Sequence, residues 1–291
     1  MRLVEALISA LMVAGLYATM SYGLALIYGV MKLINLANAG SMMLASFVTF
    51  FLWQTFGLDP LVSVFIVAPL FFVIGAGIET VFVRRVTNEK PVISLLLLFG
   101  ILLVMQAGAS FFLGGDVRSV RPVYIQEVIR IGEVTIAYNR LLVFISGVII
   151  LVGLELFLRR TFLGRAIRAL AQDRDACRLA GIDVERVSMV AFGLGTALAG
   201  AAGALLTLVF PFDPTNPYGV LQLKSFTIIV LGGLESIPGV AIAAFVLAAA
   251  ENITVTLSKP QLENLVSFVL LVVVLVVMPG GLAALIRRRP S

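Results

Sequence analysis

Long runs of this chain carry almost no charge, among them Leu61–Ile78, Leu141–Leu154, Met189–Val209, Val240–Ala250 and Leu265–Val277. A run of about 18 apolar residues spans a bilayer as a helix, and the shorter runs reach that length with polar-tolerant flanks. This one feature sets the solvent. In lipid every backbone N–H and C=O needs an internal partner, so the segments must be helices or parts of a closed barrel. Composition agrees: 60% of the 291 residues are hydrophobic and 13% charged. An ordinary soluble domain has about 45–50% and about 25%. The 26 Gly also fit, because glycine is commoner in membrane helices than in soluble ones.

The helices expected are 5–30, 38–56, 60–82, 91–113, 141–158, 189–209, 220–233, 237–257 and 263–285. The segment 220–233 is short and follows a proline-rich loop, so it is read as re-entrant or half-buried. The fold class is an all-α polytopic membrane bundle of about eight or nine transmembrane helices, forming a single domain over 1–291. The start, "MRLVEALISALMVAGLYA", looks like a leader, but Glu5 interrupts it and the apolar stretch continues to Met31. It is read as a retained first span.

Orientation follows the basic residues. The net charge is +5, and its Arg and Lys cluster beside spans, the positive-inside pattern, rather than in a nucleic-acid patch. Segment 159–186 carries Arg159, Arg160, Arg165, Arg168, Arg174, Arg178 and Arg186. "VRRVTNEK" adds Arg84, Arg85 and Lys90, and the tail adds Arg287, Arg288 and Arg289. All three are expected to be cytoplasmic, which places the C-terminus inside and the N-terminus outside. The loop 114–140 is then external. Its "VYIQEVIRIGEVTIAY" alternates apolar and polar residues, which predicts a small hairpin with Gly132 in or near the turn.

Polar residues inside the spans are the candidates for function, and helix packing is their competing use. Asn35 and Asn38, in "LINLANAGSMML", lie three residues apart and would share a helix face; Gly40 and Ser41 make a plausible break. Two roles fit: a polar path lined by Asn35, Asn38 and Ser41, or amides that glue neighbouring helices. A second break, "VFPFDPTNPYGVLQLKSF", contains Asp213, Asn216, Gly219 and three prolines, with Pro217 suited to the first turn of the short helix. Lys224 within it would meet an anionic solute group, pair structurally, or snorkel to the interface. Glu79 and Glu155 lie near cytoplasmic ends and are assigned no transport role; Glu155 and Arg159 make an i, i+4 pair. Gly195, Ala199 and Gly203 form a small-residue packing stripe.

Several chemistries are excluded by what is missing. There is no His and a single Cys, Cys177, so neither an intrachain disulfide nor a histidine metal site is possible. No GxxxxGK[ST], HExxH or GxSxG motif occurs. No catalytic or metal site is expected, and the centres of the spans lack the buried acids of an ion-driven carrier. Energy for uphill transport would have to enter from another chain.

Its point of entry is read in the cytoplasmic segment 159–188. "GRAIRALA" and "DRDACRLAG" read as two short helices, with Asp173 the N-cap of the second and Gly181 its stop. Ile167, Leu170 and Ala171 form an apolar face. Asp173, Asp175, Asp183 and Glu185 disfavour a helix lying on anionic headgroups, so the face is read as a dock for a soluble partner.

"GLALIYGVMKLINLANAGSMMLASF", "GRAIRALAQDRDACRLAGID" and "LKSFTIIVLGGLESIPGVAIAA" together resemble the membrane subunits of ABC importers for branched-chain amino acids, urea and related small solutes. The resemblance spans about residues 10–283. It implies a permease of a bacterial or archaeal inner membrane, with no cofactor of its own and ATP bound on partner subunits. The partners implied are a second permease, identical or homologous, two ATPase subunits and an external solute-binding protein. It also implies that 164–181 contacts the ATPase, through Gly164, Arg165, Arg168, Asp173, Asp175, Arg178 and Gly181. Two positions depart from the family pattern: Asn38, where a His is common, and Glu235, where Gly is frequent. A stand-alone facilitator for urea or an amide is the rival reading.

Overall fold

The structure is a computed structural model describing residues 2–87, 89–131, 134–214, 218–233, 237–257, 260–277 and 281. Gly132, Asn216, Pro217, Glu235 and Arg287, Arg288 and Arg289 lie outside the described residues. The helices are α1 (Arg2–Met31), α2 (Ala37–Phe56), α3 (Pro60–Ile78), α4 (Arg84–Val86), α5 (Pro91–Leu113), α6 (Tyr138–Arg160), α7 (Phe162–Gln172), α8 (Arg174–Leu179), α9 (Val184–Leu206), α10 (Gly219–Gly232), α11 (Ile237–Leu257) and α12 (Glu263–Val277). Among the described residues, seven helices are long and apolar enough to cross a membrane, and the shorter Gly219–Gly232 and Glu263–Val276 accompany them.

Local chemistry sets the ends. Asp59 caps α3 by accepting from the Leu61 N–H at 2.8 Å, with Pro60 as the first helical residue. Helix α9 begins at Val184, five residues before the expected start. Asp183 caps it and accepts from the Arg186 N–H at 3.1 Å, so a charged first turn invisible to hydropathy belongs to the helix. The expected hairpin is present as β1 (Val128–Ile131) antiparallel to β2 (Val134–Ala137), with Ile131 opposite Val134. It lies at the opposite end of α6 from α7 and α8.

Helices α1 and α9 form the centre. The apolar window of α1 is 94% buried and that of α9 78%, against 22%, 17% and 22% for the spans of α3, α5 and α6. A helix apolar all round belongs inside, and those with outward apolar faces meet lipid. The two central helices touch through glycines: a Cβ added at Gly23 would lie 2.4 Å from the Gly195 carbonyl oxygen. One at Gly203 would lie 2.2 Å from the Met42 carbonyl oxygen, so α9 sits equally close to α2. Ala199, between Gly195 and Gly203, is fully buried. The small-residue stripe thus brings three backbones together, the packing that drives helix association where water cannot.

Prediction: Gly203→Ala should lower the melting temperature in detergent, because overpacking a close contact costs about 1–3 kcal/mol. Gly100→Ala, in α5 with nothing within 4 Å of the added carbon, should leave it unchanged. Equal melting curves for the two variants would contradict the α2–α9 contact.

Candidate functional site

The chain leaves helical geometry after Met31. Lys32 adopts a left-handed backbone, φ 55°, rare for a side-chain-bearing residue, and α2 starts at Ala37. The depth of this break follows from Gly40, in the first turn of α2, whose added Cβ would meet Leu102 and Met105. Leu102 is the midpoint of α5, so the first turn of α2 packs level with the middle of that long apolar helix. Asn35 and Asn38 stand at that break, 1% and 0% exposed.

Buried amides normally find partners. Here Asn35 Oδ1 and both amide atoms of Asn38 have none in the structure. Gln222, on α10, donates through Nε2 to the Asn35 carbonyl at 3.0 Å, while its own Oε1 is also orphaned. The hydroxyls of Ser225, on α10, and Ser21, on α1, are buried and unpartnered as well. Ser41 differs: its Oγ donates to the Ala37 carbonyl at 3.0 Å within its own helix. The break and α10 therefore bring together amides whose hydrogen-bonding capacity is unspent. Sequence alone does not single out Gln222, because what distinguishes it is a pairing with the Asn35 carbonyl 187 residues away.

Lys224 does not join that group. It is 3% exposed, and its Nζ lies 2.6 Å from Glu263 Oε1, 3.1 Å from Glu251 and 2.9 Å from Tyr17 Oη. Tyr17 in turn donates to Glu251 Oε2 at 2.7 Å, and the Ser267 hydroxyl also donates to Glu251. This cluster joins α1, α10, α11 and α12. Structural pairing, one of the three roles open to Lys224, describes this geometry; its charge is already met by carboxylates. The expectation that the spans lack buried acids is corrected here: Glu251 is the fifteenth of 21 residues in α11 and is 2% exposed. It escaped notice because a mid-helix carboxylate tolerable in lipid needs its cation from another helix, and sequence does not pair Glu251 with Lys224.

The segment after α6 forms the two helices expected. Asp173 caps α8, accepting from the Asp175 and Ala176 N–H groups at 2.9 Å, and Gly181 ends it at φ 76°. The apolar face has a different use from the one expected. Ile167 and Leu170, with Ala166, are buried within this chain, where α7 packs on α1, α6 and α9. Gly164 is buried too: an added Cβ would lie 2.3 Å from the Phe157 carbonyl oxygen, so glycine lets α7 fold straight back on α6. The charged residues Arg165, Arg168, Asp173, Asp175 and Arg178 are left exposed, as are Gly181 and the apolar Phe162, Leu163 and Leu179, the last at 91% exposure. Cys177 is buried, 5% exposed. Among the described residues no cluster of three or more Cys, Asp or Glu is placed to hold a metal.

Prediction: Lys224→Met should destabilise the protein by about 3–5 kcal/mol by stranding buried carboxylate charge. Lys224→Met combined with Glu251→Gln should recover part of that loss. Thermal unfolding in detergent checks it; a double variant no more stable than the single would show that the charge is not what Lys224 contributes.

Comparison with known proteins fits this architecture. The family model described as branched-chain amino acid transport system, permease component, matches residues 6–275. The chain is 32% identical to the high-affinity branched-chain amino acid transport system permease protein LivH of Escherichia coli K12, covering 91% of this chain and 90% of that one. It is 31% identical to the corresponding protein BraD of Pseudomonas aeruginosa, over 96% and 94%. A probable branched-chain amino acid transport permease of Methanocaldococcus jannaschii is 25% identical over 94% and 90%. No solved structure matches the chain significantly. With the family model matched over most of its length and relatives above 30% identity covered nearly end to end, the chain belongs to the permease component family of branched-chain amino acid transport systems, transport subunits rather than enzymes.

Proposed function

We propose that this permease carries branched-chain amino acids, or a related small polar solute, across a bacterial or archaeal inner membrane. ATP hydrolysis on separate subunits drives it. Its partners are a second permease, identical or homologous, two ATPases and an external binding protein that delivers the solute. The C-terminus faces the cytoplasm and the N-terminus the outside, and 1–291 acts as one membrane domain. Family membership supports the transport role. The observation that carries the path is the set of orphaned amides at the α1–α2 break: Asn35, Asn38 and Gln222.

The chemistry suits such a solute. An amide both donates and accepts, so it exchanges hydrogen bonds with an ammonium and then with a carboxylate as the solute passes. It adds no net charge that would trap the solute. Ser41 extends the polar line along the first turn of α2. Lys224 acts at a distance, by fixing α10 so that Gln222 faces the break. Residues 164–181 form the coupling element. Gly164 shapes it; Arg165, Arg168, Asp173, Asp175, Arg178 and Gly181 present a polar face to the ATPase, with Leu179 as an apolar contact.

Three predictions test this reading. Asn38→Leu should lower uptake roughly tenfold, the equivalent of one to two lost hydrogen bonds, while assembly with the ATPases persists. Unchanged uptake kinetics would leave Asn38 a packing role. The complete complex in liposomes should need ATP for uptake, and this chain alone should conduct nothing; uptake by the chain alone would establish the facilitator instead. Docking is read with Leu179→Cys, because Cys177 is too buried to report: an impermeant thiol reagent should reach position 179 only from the cytoplasmic side, and more slowly with the ATPase bound. Labelling from outside would reverse the topology.

A further inference from the structure

The sequence "GIETVFVRRVTNEK" places a carboxylate, Glu79, five residues before Arg84 near the end of a membrane span. A regular α-helix brings residues three or four apart together, not five. The structure resolves this with a π-helical turn: α3 passes through Glu79–Val83 in π geometry before α4. A π turn closes its rings over five residues, and such turns recur at functional sites. Here it sets Arg84 Nη2 3.3 Å from Glu79 Oε2. The other arm of the same guanidinium, Nη1, lies 3.1 Å from Glu185 Oε2 in the first turn of α9. One fork thus ties two helices, and its ends differ in surroundings: the Glu79 side chain is 2% exposed and that of Glu185 66%.

The loop helices meet this junction. Arg174, the first residue of α8, lies within electrostatic range of Glu79, Asp175 and Glu185. Beyond it, α3 and α9 interlock. An added Cβ at Gly75 would lie 2.5 Å from Thr196, and one at Gly200 2.8 Å from Phe71. At its far end α9 abuts α2 at Gly203, whose carbonyl accepts from Ser46 Oγ at 2.7 Å. Closely packed interiors are barely compressible and transmit strain. A shift at the start of α9 is therefore delivered to α3 and to the helix that carries Asn38.

We propose that Arg84 is a positioning residue for transport: the relay Glu79–Arg84–Glu185 passes ATPase-driven movement of the α7–α8 loop into α3 and α9, and so to the break at Asn38. This rests on the coupling role of residues 164–181. Magnitudes separate it from a simple staple. An exposed ion pair such as Arg84–Glu185 contributes about 0–1 kcal/mol to stability, so losing it leaves the fold standing. Losing a relay changes instead how much transport each ATP yields.

The test uses the complete complex with its ATPases and binding protein in proteoliposomes, measuring ATP hydrolysis and branched-chain amino acid uptake together. Glu185→Gln and Arg84→Gln should each raise the ATP consumed per solute several-fold, with the amount of co-purified ATPase unchanged. The double variant should be no worse than Arg84→Gln alone, because both break one connection. Glu185→Asp should retain most of the coupling. If Arg84→Gln accumulates poorly, Glu185→Gln decides, since that side chain is exposed. A wild-type ratio in Glu185→Gln, or effects that add in the double variant, would overturn the relay alone. A wild-type complex whose uptake ignores ATP would overturn the importer reading and the relay with it.

Discussion

The close approach of α1 and α9 through Gly23 and Gly195 is the constraint on which the rest depends. Lipid offers no hydrophobic force to hold helices together, so association rests on how near backbones can come. With two helices fixed at glycine distance, the other elements take positions around them. Helix α2 lies against α9 at Gly203, α3 at Gly75, and α6 against α1, where a Cβ at Gly147 would lie 2.7 Å from the Gly15 carbonyl oxygen. The crossings themselves are backbone and small side chains, and large apolar side chains such as Leu16, Met20, Leu24, Ile27 and Phe192 fill the space between them; two groups of polar side chains stand in the α1–α2 break and around Lys224.

Those polar groups divide by satisfaction. The Lys224 cluster is closed: Nζ, two carboxylates, a phenol and a serine hydroxyl are mutually bonded across four helices. The amides at the break are open, with four amide atoms of Asn35, Asn38 and Gln222 unpaired. A closed charged cluster holds geometry, because any departure leaves a charge in a poor solvent. An open neutral set exchanges partners cheaply. Placing the first on α10 two residues from Gln222 lets rigidity on one side serve adaptability on the other. Helix α10 is further held at its start, where Tyr218 and Ser46 hydroxyls meet at 2.9 Å.

Much of the bundle was legible because its signals are local. Apolar run length, the Asp173 cap and the stop at Gly181 each depend on a few neighbouring residues. The amides at Asn35 and Asn38 were legible as polar interruptions of apolar sequence. What stayed hidden depends on pairings between distant helices. Glu251 and Lys224 are 27 residues apart, and Tyr17 and Glu251 are 234 apart. The apolar face of α7 is legible from periodicity, but its cover, α1, α6 and α9 rather than another protein, is not; periodicity shows that a face is covered, not by what. The π turn was hidden for a different reason, since no residue preference announces it and only the Glu79–Arg84 spacing hints at it.

The Lys224 cluster also bears on how the protein is made. Helix α10 has 14 residues, about 21 Å of helix, against a hydrocarbon thickness of about 30 Å. It carries a lysine whose entry into the bilayer centre costs about 2.5–3.5 kcal/mol on insertion scales. The compensating carboxylates, Glu251 and Glu263, are synthesised later, on α11 and α12. As α10 leaves the ribosome it is therefore both too short and too charged to hold a transmembrane position. Its stable entry into lipid then waits for the two helices that follow, so that the chain from Gly219 onward is expected to integrate as a single unit rather than one helix at a time.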